Sequence, residues 1–168
     1  MWNLLFIFGW LNLANPGFLN DAHQAILDRI RQEQQGGNLA AAIQLINRLI
    51  ELCKLREVPE AQATCALICS EMNDIEYAAE LLDQARKGFI NDEHRLAVAS
   101  WMQGIVLWDR MEMRQEVIEN WMRAIGIFQR IAVSRNHPAK GIDPAWHAGQ
   151  LPLMEAALQD AVDTEIIL

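Results

Sequence analysis

Cysteine, proline and glycine are all scarce in this chain, at 3, 5 and 9 of 168 residues. Three cysteines, an odd number, do not make the framework of a secreted disulfide scaffold, so a reducing, cytoplasmic compartment is expected. So little glycine and proline beside 52% hydrophobic residues excludes a collagen-like or disordered chain. Positive charge is short as well: 14 Lys and Arg stand against 22 Asp and Glu, a formal charge of −8. A phosphate backbone is repelled on average by such a surface, so nucleic acid is not expected as a partner. The four histidines, His23, His94, His137 and His147, form no i, i+4 pair, and no G-x-S-x-G or phosphate-cradling glycine loop occurs. No catalytic residue, metal site or cofactor is therefore expected, and carboxylates such as Glu112, Glu116 and Glu119 read as solvated helix faces.

What the chain does have is helical periodicity, while no alternating Val/Ile/Thr-rich run bounded by turn residues reads as a strand. Asn20 and Asp21 can cap a helix running to about Gln35, and Gly36-Gly37 stops it. Asn38 opens a second, with Leu39, Ala42, Ile43, Ile46, Leu49, Ile50 and Cys53 on one apolar stripe. Pro59 suits the first turn of a third, ending near Met72. Asn73-Asp74 caps a fourth, with the stripe Ile75, Ala78, Ala79, Leu82 and Ala85, and Asn91-Asp92 precedes a fifth reaching about Met111. A sixth runs on to about Val133. The class is all-α, and one domain's worth of chain can form its core without a metal or disulfide staple.

Helices joined by a few residues pack as antiparallel pairs, and such pairs in series carry an internal period. Ala42-x3-Ile46-x2-Leu49, Ala78-x3-Leu82-x2-Ala85 and Val117-x3-Trp121-x2-Ala124 line up at offsets of 36 and 39 residues. Twelve residues before Ala78 stands Ala66, with Cys65 and Cys69 beside it, and twelve before Val117 stands Ile105, flanked by Trp101, Gly104 and Trp108. Over about residues 22 to 133 the chain thus resembles the tetratricopeptide repeat (TPR) family, in which a W-x2-L-G-x2-Y helix pairs with an A-x3-F-x2-A helix. The offsets exceed that family's usual period and are similar to lengthened repeats in sensor domains of bacterial signalling proteins. The resemblance implies a TPR-like α-solenoid of about three antiparallel helix pairs plus a C-terminal capping helix, because each pair leaves an apolar face that only the next can cover.

A solenoid of this kind presents a concave groove lined by the first helix of each pair. In this register the groove receives Gln24, Leu27, Arg31 and Gln34, then Glu60, Ala63, Leu67, Ser70 and Glu71, then Met102, Val106, Asp109 and Arg110. That mixed surface suits a peptide or helix of a protein partner. Trp101 and Trp108 read either as groove anchors or as a core stripe, the core being favoured. Cys65 and Cys69 share a helix face without a closing zinc ligand, which makes them small buried hydrophobes.

The two ends differ from the repeats. Residues 2–14 carry nine large apolar side chains and no charge. The run is shorter than the ~20 residues of a spanning helix. No Lys or Arg precedes Arg29, which argues against a secretory signal. Trp2, Leu5, Phe6 and Trp10 are expected to make a homo-oligomer or subunit contact, or alternatively to touch a membrane. Residues 134–143 read as a loop, and 144–168 as a C-terminal helix beginning at Asp143-Pro144, with its main part starting at Pro152. The divisions are 1–17, an apolar segment; 18–133, TPR-like repeats; 134–143; and 144–168. The expected function is a non-catalytic interaction module, an adaptor or scaffold. The alternatives are a membrane-associated assembly or tethering factor and the sensor part of a larger signalling regulator.

Overall fold

The computed structural model describes residues 21–56, 59–71, 74–108, 114–134 and 143–167. Among them the chain is helical, with no strand. In order, the helices are α1 (Asp21–Gln35), α2 (Leu39–Arg56), α3 (Pro59–Glu71), α4 (Ile75–Gly88), α5 (Glu93–Leu107), α6 (Arg114–Val133) and α7 (Pro144–Ile167).

Local chemistry sets several of these boundaries. Asp74 accepts a hydrogen bond from the Tyr77 backbone N–H, and Asp92 does the same for Arg95, each satisfying one of the donors a helix start leaves open. Asp143 takes the N–H of Ala145 at 2.9 Å. Gly37 ends the first connection with φ at 77°, a conformation that costs glycine no steric strain, and Asn38 donates its N–H back to the Glu33 carbonyl. One boundary shifts from expectation: α5 stops at Leu107 rather than near Met111. A second difference is larger. Pro152 was expected to begin the main part of the last helix, but it lies inside one continuous α7. Proline lacks the N–H that would bond Ala148; Ala148 and Pro152 both face solvent, where water can take the released carbonyl.

Each helix packs against the next in the chain, and α1 also packs against α3. The buried core runs from Ile30 of α1 through α7 and includes the nine aligned positions Ala42, Ile46, Leu49, Ala78, Leu82, Ala85, Val117, Trp121 and Ala124. Small residues let helices approach closely. Ala61, Ala63, Cys65, Ala66 and Cys69 of α3 are buried, and the Cys65 thiol donates to the Leu49 carbonyl of α2 at 3.3 Å. At the end of α4, Gly88 lies against Pro59; a Cβ there would come within 2.1 Å of the proline ring. The stripe expected on α2 is buried at Ala42, Ile46 and Leu49, whereas Leu39 and Ile43 remain 62% and 47% exposed. No helix among the described residues is long and apolar enough to cross a membrane.

Candidate partner-binding surface

The residues assigned to the groove fall into three groups. Arg31 and Gln34 stand half-buried near the end of α1. Glu60, Leu67, Ser70 and Glu71 occupy positions along α3, the helix that α1 touches, so these two first helices are neighbours. Ala63, Met102 and Val106 do not belong to an open groove. They are 0%, 1% and 4% exposed, which corrects the expectation at one position of α3 and for α5. The physical reason is position: α5 packs against both α4 and α6, and every residue from Ala97 to Leu107 is buried. The sequence carries a signal for this, because Leu96 to Leu107 contains no charged residue, as a helix covered all round requires. Asp109 and Arg110 lie outside the described residues, as do Trp2, Leu5, Phe6 and Trp10.

Trp101 and Trp121 lie in the core and Trp108 packs against it. Trp121 of α6 is stacked between Trp101, 4.6 Å away centroid to centroid, and Trp108, 5.3 Å away. Its indole Nε1 donates to the Trp101 carbonyl at 3.0 Å. Gly104 makes this possible, since a Cβ there would stand 2.3 Å from that nitrogen. Trp101 is buried and Trp108 half-buried, with the Arg114 guanidinium 5.5 Å from the Trp108 ring centre.

A second cluster was not legible in the sequence. His94 at the start of α5 and His147 in the first turn of α7 are both buried, with His94 Nδ1 2.9 Å from His147 Nε2. Phe128 of α6 and Trp146 pack around them in edge and stacked contacts between 4.9 and 6.1 Å. One imidazole donates and the other accepts, so the pair shares a polar contact within an aromatic shell. The two histidines are 53 residues apart, and no local spacing announces them. Among the described residues no group of three or more His, Cys, Asp or Glu is placed to hold a metal ion. The pair instead ties α7 to α5 across α6.

Buried polar groups also link α4 to α5. Gln103 accepts a short hydrogen bond from Arg86 and donates to the Ala79 carbonyl at 3.3 Å. Arg86 is half-buried, and its guanidinium is held below the usual value by loss of water and then by the positive charge of Arg123, with Asp83 and Glu116 acting the other way.

In comparisons with known proteins no family model matched the chain, and no similar curated protein or solved structure was found.

Proposed function

We propose that the chain is a non-catalytic protein–protein interaction module: an adaptor or scaffold whose helix pairs stack as a TPR-like solenoid and whose first helices offer a groove to a partner peptide or helix. The observation that carries this reading is the chain-order packing, in which α1 lies against α3 as well as against α2. First helices of successive pairs are neighbours in a stack of pairs, and a groove between them is the surface that such stacks use. Burial of all nine aligned positions supports the same register. With Met102 and Val106 removed, the groove is centred on α1 and α3, where Arg31 and Gln34 remain accessible.

The experiment is affinity capture with the intact chain, with Arg31→Glu and with a chain lacking residues 1–17. The expected result is a partner retained by the intact and shortened chains and lost by Arg31→Glu, whose melting temperature stays close to the parent's because surface substitutions usually fall within about ±0.5 kcal/mol. Partners unaffected by Arg31→Glu overturn the groove. Partners lost only with residues 1–17 transfer the function to the apolar segment, in keeping with a tethering factor.

A further inference from the structure

A second surface lies where α4, the start of α5 and α6 meet. The last turn of α4, the turn after it, the start of α5 and the middle of α6 enclose a cleft of about 280 Å³ lined by Asp83, Arg86, Lys87, Ile90, Leu96 and Arg123. Three of the six lining residues are cations, in a chain whose formal charge is −8. Asp83 is engaged by Lys87, whose Nζ stands 3.0 Å from its Oδ2. Arg86 gives its short hydrogen bond to Gln103, a neutral acceptor, and its buried Nε has no hydrogen-bond partner among the described residues.

Cations in the last turn of α4 face its carbonyl end, which accounts for Arg86 and Lys87 without any ligand. It does not account for Arg123, which comes from another helix and adds repulsion against Arg86. Like charges converge from two helices, one of them short of water; Asp83, held by Lys87, and Glu116 offset only part of that charge, which leaves the site suited to an anion supplied from outside. The rest of the lining is apolar: Ile90 is 69% exposed and Leu96 half-buried. At about 280 Å³ the cleft is also smaller than most small-molecule pockets, which run from about 300 to 1,000 Å³. It has room for one or two side chains.

We propose that this cleft binds an acidic peptide segment of a partner protein, taking an Asp or Glu carboxylate between Arg86 and Arg123 and an adjacent apolar side chain against Ile90 and Leu96. The proposal rests on the reading of the chain as an interaction module and specifies the chemistry of one partner, on a surface other than the α1–α3 groove.

The test uses the purified full chain and fluorescein-labelled alanine/serine peptides carrying one glutamate and one leucine at systematically varied spacing, with lysine-for-glutamate and alanine-for-leucine counterparts. Binding is read by fluorescence anisotropy. Glutamate–leucine peptides are expected to bind, to weaken with added salt, and to lose about tenfold in affinity to Arg123→Glu, a substitution at an exposed position. Arg48→Glu, the same charge change on the exposed face of α2, leaves binding unchanged. Binding indifferent to the lysine replacement, untouched by Arg123→Glu, or absent for every peptide overturns the proposal. A peptide released by Arg31→Glu instead leaves the groove reading standing and removes this one. If no peptide binds and Arg123→Glu halves the mass seen by light scattering, the occupant is a second copy of the chain, which also overturns the peptide.

Discussion

Gly104 shows how much one missing methyl group can carry. Its bare backbone admits the Trp121 indole, which in turn holds Trp101 and Trp108 in one stack and satisfies the Trp101 carbonyl. Gly104→Ala would force that ring away, and the cost of overpacking a filled core is about 1–3 kcal/mol. The expected outcome is a lower urea midpoint together with a changed near-ultraviolet circular dichroism spectrum. An unchanged midpoint would mean that α5 and α6 separate without loss. The pattern W-x2-G-I-x2-W made this region recognisable in the sequence, yet it did not say which face of α5 was covered. Met102 and Val106 were assigned to a groove because a stripe was assumed; burial on both sides depends on two neighbouring helices, which no spacing within α5 encodes.

At the scale of the helix, caps and periodicity were legible because they are local. Asp74, Asp92 and Asp143 each accept from a backbone N–H two or three residues onward, where their side-chain chemistry and position would place them. The last helix was less legible. Proline is read as a helix start, and α7 passes through Pro152 because its partner contacts lie on both sides: His147 before it, Met154, Ala157 and Ala161 after it, all buried. Packing on α6 outweighs the lost backbone bond. Pro152→Ala restores the N–H and removes the ring from the Ala148 carbonyl, so it should stabilise the chain by about 1–3 kcal/mol. Differential scanning calorimetry checks this directly. A fall in melting temperature would show that a bend at Pro152 is needed to seat both halves.

For the whole molecule, packing in chain order makes each interface depend on the next element. α7 covers the α6 face that holds Phe128, whose ring meets Trp146 and His147 at 5.8 and 4.9 Å. A chain ending at Ser134 should keep α1 to α6 helical and lose stability, and the uncovered apolar face should bind a hydrophobic dye and self-associate. Light scattering and dye fluorescence report this. A shortened chain that stays monomeric, dye-negative and equally stable would show that α7 covers nothing the rest requires. The all-helical class was legible from sequence because it sums local preferences. The His94–His147 contact and the α4–α6 cleft were not, because each joins residues that only the tertiary arrangement makes neighbours.

The three stacked indoles have an optical consequence. Rings 4.6 and 5.3 Å apart, held at fixed angles of 25° and 11°, couple their electronic transitions and act as one chiral chromophore. That chromophore contributes its own ellipticity, superimposed on the backbone signal from which helicity is ordinarily read. Helical content is therefore read from the Trp121→Phe spectrum, and the difference between parent and variant isolates the contribution of the stack. The same difference spectrum then becomes a private gauge of the α5–α6 seam, able to follow its opening apart from the melting of the other helices.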